Sequence, residues 1–228
     1  MTAPVQAVIF DFDGLIADTE MPDYLAWQAV YAQYGWTFPL NSWLRNVGRN
    51  DSPFDPLGPF RGPGSPTDPD TVLAGWRRHH TRLERDYLQP LPGVLPLLER
   101  LKEHGIHTAV ASSTRRRRIH YLLSALRLQE RFEALACGDE VPRAKPAPDV
   151  YLLAAGRLGV PAAACVALED SAPGVCAAKS AGMACIAVPS RITRTMDLSA
   201  ADLVVASLLD VTLDTIARVA EGRPSGAT

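Results

Sequence analysis

The alternation of short apolar segments with longer helical patterns constrains the fold of this 228-residue chain most strongly. Each segment is almost continuously apolar, which is typical of strands buried on both faces of a parallel sheet. Gly105, Gly159 and Gly182 stand where the intervening helices would end. We therefore predict an α/β fold with a doubly wound parallel sheet. The predicted strands are 5–10, 106–111, 133–137, 163–168, 184–188 and 202–205, and the predicted helices are 93–104, 115–127, 149–158 and 172–181.

One stretch, residues 19–90, interrupts this alternation with a purely helical pattern. Apolar stripes with helical spacing run from Tyr24 to Tyr34 and from Val72 to Tyr87. Between them, the segment SPFDPLGPFRGPGSPTDPD has six prolines and three glycines, too many for regular structure. We predict that residues 19–90 form a second, smaller α-helical domain inserted after the first strand, and that residues 1–18 and 91–228 form the core.

Composition and charge exclude several classes of function. The formal net charge of −2 provides no general attraction to nucleic acid or anionic membranes. No apolar run approaches the roughly 20 residues that span a bilayer, and MTAPVQ lacks the pattern of a signal peptide. The four cysteines show no CxxC spacing, which is typical of free thiols in a reducing compartment. We expect a cytoplasmic monomer without nucleic-acid or membrane partners.

Charged and hydroxyl side chains follow the predicted strands. In an open parallel sheet, ligands bind beyond the carboxyl ends of the strands, so these side chains are the candidates for function. One edge of the sheet would collect four carboxylates, a group of hydroxyls and one ammonium. The residues are Asp11 and Asp13 after the first strand, Ser112, Ser113 and Thr114 after the second, Glu169 and Asp170 after the strand at 163–168, and Lys145 in the turn KPAPDVY.

This collection of side chains favours phosphoryl transfer. Burying neighbouring carboxylates costs several kcal/mol unless they are paired or bind a metal. Mg²⁺ takes oxygen ligands, often one or two carboxylates together with phosphate oxygens. Hydroxyls and backbone amides at the start of a helix can hold an anion, and a lysine adds a point charge suited to phosphate. One aspartate would then attack phosphorus while the other handles the proton of the leaving group.

Four ordered motifs of the chain resemble those of the haloacid dehalogenase superfamily. They are DFDGLIADTE, VASST, KPAPDVY and LEDSAPGVCAAKSAGM, and they are most similar to the phosphatase and phosphoglucomutase branch, which has a helical cap after the first motif. The resemblance covers about 150 core residues motif by motif, and the cap by position and pattern. It implies a Rossmann-like core and a Mg²⁺-dependent phosphatase acting on a small phosphorylated metabolite, which could be a sugar phosphate.

The resemblance also implies roles for individual residues in the reaction. Asp11 would be the nucleophile that forms an aspartyl-phosphate, and Asp13 the general acid and base. Ser112 would bind phosphate, with Ser113 beside it as a second candidate. Lys145 would pair with the nucleophile and the phosphate.

The same resemblance implies a metal site built from carboxylates. Asp11 would bind Mg²⁺ through its side chain and Asp13 through its backbone carbonyl. Asp170 would be a further ligand, and Glu169 a second acidic ligand, directly or through water.

Two features help to choose among the reactions of the superfamily. The dehalogenases of the superfamily lack the second aspartate of the first motif, so Asp13 argues against dehalogenation. The cap segment NVGRNDS resembles the specificity loop of β-phosphoglucomutase, with Arg49 at the position that contacts substrate phosphate. The mutase-like members carry a histidine on the first cap helix, whereas this chain has Asp23 there. Hydrolysis is therefore favoured, with a phosphomutase as the alternative and a catalytically idle binding module as a third hypothesis.

The run RRRR, residues 115–118, begins a predicted helix, where positive charge is disfavoured by the helix dipole. A solvated helix face is the favoured interpretation. In the alternative, Arg115 or Arg116 faces the cleft and attracts an anionic substrate.

Overall fold

A six-stranded parallel sheet forms the centre of the protein within the residues that the computed structural model describes, which are 5–49, 51 and 53–222. Its strand order is β3-β2-β1-β4-β5-β6, and every neighbouring pair is parallel. The predicted fold class is confirmed, and each strand lies within two residues of its predicted bounds. The strands are β1 (Ala7–Phe10), β2 (His107–Ser112), β3 (Ala134–Cys137), β4 (Cys165–Glu169), β5 (Ala184–Ala187) and β6 (Leu203–Val204).

Helices cover both faces of this sheet, as continuous apolar strands require. Side chains such as Val8 and Phe10 of β1 face α4, α5 and α8, whereas Ala7 and Ile9 face α6 and α7. The second face is rich in alanine, which lets its helices approach the sheet closely. Helices α2 and α8 are additional to the predicted ones. The helices are α1 (Glu20–Ala32), α2 (Leu40–Trp43), α3 (Pro69–Tyr87), α4 (Val94–Glu103), α5 (Arg116–Leu126), α6 (Asp149–Leu158), α7 (Ala172–Ser180) and α8 (Leu213–Glu221).

The segment after β1 forms a helical cap with its own apolar centre. Helices α1 and α3 pack along each other, and aromatic side chains fill the space beside them. The proline-rich segment is irregular apart from one short turn, Gly58–Phe60, which buries Phe60 among these rings. The cap is confirmed as an element of the fold, while its bounds at 19–90 stay a prediction. The cap cluster contains Trp27, Val30, Tyr31, Phe38, Trp43, Val47, Phe60 and Val72, with Ile192 from the core.

The strand order reverses its direction between β1 and β4. The chain runs from β1 outward to β3 on one side, then returns to place β4 on the other side of β1. The carboxyl ends of β1 and β4 therefore border the crevice where such sheets bind ligands.

Among the described residues, we find no helix with the length and apolar character of a membrane span. Residues 1–4 and 223–228 of the predicted core, and residues 50 and 52 of the cap, lie outside the described part of the chain.

Candidate active site

Lys145 links the ends of β1, β2 and β4 beneath the crevice. Its ammonium group donates hydrogen bonds to Asp11 Oδ1 at 2.6 Å, to Glu169 Oε1 at 2.6 Å and to the carbonyl of Ala111 at 3.0 Å. Lys145 is only 2% exposed, and Asp11 and Glu169 are 4% and 0% exposed. The turn that follows β3 carries Lys145 into this position, so residues far apart in sequence meet in one buried ion cluster.

The electrostatics of this cluster are dominated by negative charge. Burial, together with the charge of Glu169, raises the pKa of Asp11 to about 8, although Lys145 acts in the opposite direction. Burial alone would lower the pKa of Lys145, but the charges of Asp11 and Glu169 outweigh it and the pKa is raised. Lys145 is therefore a permanent cation, and one lysine does not neutralise the carboxylates around it.

A divalent cation fits this excess of negative charge. Asp11, Glu169 and Asp170 each offer a carboxylate oxygen, and these oxygens lie within 4.8 Å of one another. Burial and the charges of Asp11 and Glu169 raise the pKa of Asp170 well above its ordinary value. Carboxylate oxygens are the ligands that Mg²⁺ prefers, so the donor set matches the predicted ion.

Gly14 and Thr193 define the surroundings of Asp170. A Cβ atom on Gly14, whose φ is +81°, would stand 2.2 Å from Asp170 Oδ2, so only glycine leaves room for this carboxylate. The same oxygen accepts a hydrogen bond from Thr193 Oγ1 at 3.1 Å. These contacts fix one oxygen of Asp170, and Ser190 also donates a side-chain hydrogen bond to this carboxylate.

Glu169 differs from the other carboxylates because its oxygens already have protein donors. Oε1 accepts from Lys145 and from the hydroxyl of Tyr151, each at 2.6 Å. Oε2 accepts from the backbone amides of Asp170 and Ser171 and from Ser171 Oγ, at 3.1 to 3.3 Å. A carboxylate has about four lone-pair sites, so a metal bond to Glu169 would require a donor to leave. Its predicted role as a ligand stays a prediction.

Asp13 accepts hydrogen bonds from a row of hydroxyls at the ends of the strands. Ser112 Oγ and Thr114 Oγ1 donate to its Oδ2 at 3.0 and 2.9 Å, and Thr19 Oγ1 donates to its Oδ1 at 2.7 Å. The structure thus brings Ser112 to the predicted edge, and its hydroxyl contacts Asp13. These three hydroxyls hold the carboxylate of Asp13 in place, and each of them can also donate a hydrogen bond to a bound ligand.

Ser113 contacts the cap. Its hydroxyl donates to the carbonyl of Gly48 at 3.0 Å, in the loop after α2. Gly48 also abuts Ser171 on the core, where a Cβ atom would lie 2.5 Å from Ser171 Oγ. The cap loop therefore rests on two serines that border the crevice. The predicted phosphate-binding role of Ser113 stays a prediction.

A cavity of about 430 Å³ opens in the cap above these residues. Glu20 and Asp23 of α1, Trp76 of α3 and Arg49 belong to its lining. The guanidinium of Arg49 pairs with Asp51, to which its Nε donates at 2.6 Å. Arg49 thus lines this cavity, although its role as a substrate contact stays a prediction.

The arginine run behaves differently from the alternative interpretation. Arg116 pairs with Glu140 of the core at 2.9 Å, whereas Arg118 pairs with Glu84 on α3 of the cap. Burial lowers the pKa of Arg118, while nearby Asp13 and Asp23 act to raise it. Arg118 therefore lies near the carboxylates of the crevice, whereas the alternative interpretation for Arg115 stays a prediction.

Several polar partners of the site do not follow from the motifs alone. They are Tyr151, Thr19, Thr193 and Glu84, each identified by the side chain that it contacts. Tyr151 lies in KPAPDVY, but on a helix its ring is expected to be an ordinary core residue. Thr19 and Thr193 are small polar residues in loops, for which sequence offers no comparable signal.

Comparison with known proteins assigns the family. A sequence model of the haloacid dehalogenase-like hydrolases matches residues 8–188, a range that begins within β1, includes the cap and ends just after β5. The chain therefore belongs to the haloacid dehalogenase-like hydrolases.

Individual relatives resemble the chain over most of its length. Protein CbbY of Rhodobacter capsulatus is 37% identical over 209 residues, covering 87% of this chain and 91% of that protein. The β-phosphoglucomutase of Bacillus subtilis (strain 168) is 34% identical over 221 residues, covering 92% and 93%. The crystal structure of CbbY from Rhodobacter sphaeroides in complex with phosphate is 29% identical, with a TM-score of 0.73 and coverage of 93% and 99%. The protein named putative phosphatase YhcW of Bacillus subtilis (strain 168) is 37% identical over 194 residues, covering 84% of this chain and 87% of that protein. This relative and the match to the haloacid dehalogenase-like hydrolases make the chain a hydrolase that acts on phosphate esters.

Proposed function

We propose that the protein is a Mg²⁺-dependent phosphatase that hydrolyses a small phosphorylated metabolite through an aspartyl-phosphate. The contact that carries this proposal is the 2.6 Å hydrogen bond between Lys145 and Asp11 at the carboxyl end of β1. A buried carboxylate that accepts from this lysine at one oxygen keeps its other oxygen available for attack on phosphorus. The phosphate bound in the CbbY crystal structure supports the same type of ligand here.

Asp11 and Asp13 divide the work of the reaction. An oxygen of Asp11 attacks phosphorus, the bond between phosphorus and the leaving oxygen breaks, and Asp13 gives its proton to that oxygen. Asp13 then takes a proton from water, whose oxygen attacks the aspartyl-phosphate and releases inorganic phosphate. Asp11 is regenerated with its oxygen, and Asp13 is protonated again.

Lys145 and Ser112 would hold the phosphate during these steps. The ammonium of Lys145 offsets charge on Asp11 and on a phosphate oxygen, and a hydroxyl at the end of β2 donates to another. Asp11, Asp170 and the backbone carbonyl of Asp13 would hold the metal, with Glu169 keeping Lys145 in place. Mg²⁺ in this position reduces the repulsion between the phosphate and the carboxylate nucleophile.

The test is phosphate release from a panel of phosphorylated metabolites, with Mg²⁺ and with chelator. Replacing the nucleophile in Asp11→Asn should lower kcat by about 10⁴-fold or more, because no covalent intermediate can form. Mass spectrometry of rapidly quenched enzyme should show a phosphorylated Asp11 in the wild type alone. Metal-independent release, or full activity of Asp11→Asn, would contradict the proposal.

A phosphomutase is the second candidate, favoured by the 34% identity to β-phosphoglucomutase. Such an enzyme retains a bisphosphate intermediate and returns it in the opposite orientation. Asp23 occupies the place of the histidine that the mutase-like members carry, and its Oδ1 accepts a hydrogen bond from Trp76 Nε1 at 3.0 Å. Isomerisation of a hexose 1-phosphate that is stimulated by a bisphosphate would identify the mutase. Tight binding of metabolites with neither activity would leave a binding module.

A further inference from the structure

We propose that the cap cavity binds a leaving group carrying a protonated amine, so that the preferred substrates are phosphate monoesters of amine-bearing alcohols, amino sugars included. This inference rests on the proposed phosphatase function and specifies which substrates the cap selects. The observations that carry it are the lining of the cavity, the pairing of the charges around it and its closeness to the catalytic carboxylates.

Glu20 connects the cavity with the reaction site. It is the first residue of α1 and one of the residues that line the cavity. It is near enough to Asp13, Asp170 and Asp11 that their charges add to the effect of burial and of Asp23 on its pKa, which is raised well above the ordinary value. A phosphate at Asp11 would therefore extend its leaving group past Glu20 into a space of about 430 Å³, enough for a hexose.

The positive charges around this cavity are already paired with other carboxylates. Arg49 pairs with Asp51, and Arg118 pairs with Glu84.

A further pair, Arg61 with Asp55 at 3.3 Å, accounts for the third carboxylate of the lining. Glu20 and Asp23 are different, because we find no salt bridge to either of them in the described part of the chain. Arg118 acts on Asp23 only at a distance. The cavity thus presents two carboxylates without a cationic partner, and an ammonium group supplies the missing charge.

Tryptophan rings form the walls beside these carboxylates. Trp27 and Trp76 stack with centroids 5.7 Å apart, and Trp76 orients Asp23 through its Nε1 hydrogen bond. Trp43 also lines the cavity, is 7% exposed, and its Nε1 has no hydrogen-bond partner among the described residues. The faces of tryptophan rings are the best protein partners for an ammonium group, and the free indole N–H can donate to a hydroxyl of the same ligand.

Other leaving groups satisfy this lining less well. A neutral polyol can form hydrogen bonds with Glu20 and Asp23, but it supplies no cation that would stabilise their ionised forms in a partly buried site. A second phosphate would face two carboxylates, and the guanidinium of Arg49 would have to leave Asp51 to meet it. Charge therefore separates an amine-bearing ligand from both alternatives.

The experiment compares substrates that differ by the amine alone. Glucosamine 6-phosphate is measured against glucose 6-phosphate, and phosphoethanolamine against ethyl phosphate, by phosphate release with Mg²⁺. We expect the amine to raise kcat/KM by about tenfold or more in at least one pair, as an ion pair in a partly buried site allows. Glu20→Gln and Asp23→Asn should each reduce this preference several-fold. The control Asp86→Asn changes the same charge on an exposed position of α3 and should keep the preference.

Binding separates this inference from the phosphatase function. Calorimetry with Asp11→Asn measures the affinity for the same two pairs without turnover, and the amine should again favour binding. Equal kcat/KM within both pairs, or a preference that both variants retain, would overturn the inference and leave the phosphatase intact. Should no substrate be hydrolysed, the phosphatase proposal fails, and equal affinities for the members of each pair would overturn the inference as well.

Discussion

The carboxylate of Glu169 is completely buried, and its role depends on its hydrogen bonds rather than on its charge alone. The shared oxygen Oε1 receives one donor from Lys145 and one from Tyr151. Because Lys145 must also reach Asp11, the hydroxyl of Tyr151 helps to fix where the ammonium lies. The hydroxyl of Tyr151 is therefore linked to Asp11 through Glu169 and Lys145.

Removing this hydroxyl provides a test at a single atom. Tyr151→Phe leaves a buried carboxylate with one donor fewer, which should lower the free energy of unfolding by about 1–3 kcal/mol in urea denaturation. Tyr121→Phe is the matched control, because Tyr121 is 55% exposed and should change stability by less than about 0.5 kcal/mol. Equal effects of the two substitutions would show that the contact with Glu169 contributes nothing.

Ligands of an open parallel sheet bind beyond the carboxyl ends of its strands, and this explains which site residues could be predicted from the sequence. Asp11, Ser112 and Asp170 directly follow or end a strand of the parallel sheet, so their meeting follows from topology alone. Lys145 reaches the cluster by a turn that only the resemblance could connect with Asp11. The hydroxyls of Tyr151 and Thr193 escaped prediction because their function depends on side-chain direction, which no spacing in the sequence encodes.

At the level of helices and strands, a regular spacing of apolar residues decides which elements can be predicted from the sequence. Helices α4 to α7 fall within one residue of their predicted bounds because each has an apolar stripe and three of them end near a glycine, such as Gly159 at φ +69° after α6. The proline-rich cap segment has no period, and the packing of Phe60 into the aromatic cluster depends on rings far away in sequence. The four-residue helix α2 is likewise too short to show a period.

The seam between cap and core can be tested through Gly48. Its φ of +76° and the contact with Ser171 both oppose a side chain, so Gly48→Ala should displace the cap loop from the core. Because small displacements of a closing element slow catalysis strongly, we expect kcat/KM to fall by about tenfold or more.

Gly35→Ala is a matched control for this substitution. Gly35 has a similar φ of +71°, but a Cβ atom at this position would have nothing within 4 Å. The variant should show the backbone strain of about 1 kcal/mol in thermal unfolding with kcat/KM unchanged. A loss of activity in both variants would point to general destabilisation of the cap. A loss in neither would show that the contact between Gly48 and Ser171 does not affect catalysis.

For the molecule as a whole, the buried carboxylates create a cost of folding that a bound metal would remove. Asp11, Glu169 and Asp170 lie within one cluster with Lys145 as its hydrogen-bonded cation. Burial and Glu169 raise the pKa of Asp11 from 3.8 to about 8, and burial raises that of Asp170. The folded state without metal thus holds protons that the unfolded chain releases, so its stability falls as pH rises between about 4 and 8.

Magnesium should reverse this trend, because it binds the deprotonated carboxylates and competes with their protons. At a free concentration of about 100 times Kd, it should stabilise the fold by on the order of 3 kcal/mol, which raises Tm by roughly 5–10 °C. Thermal unfolding with Mg²⁺ and with EDTA should give a larger difference near pH 8 than near pH 5. Asp11→Asn should reduce the pH dependence in EDTA, since one of the residues with a raised pKa no longer titrates. A Tm difference that is independent of pH would mean that these carboxylates are not the groups that bind the ion.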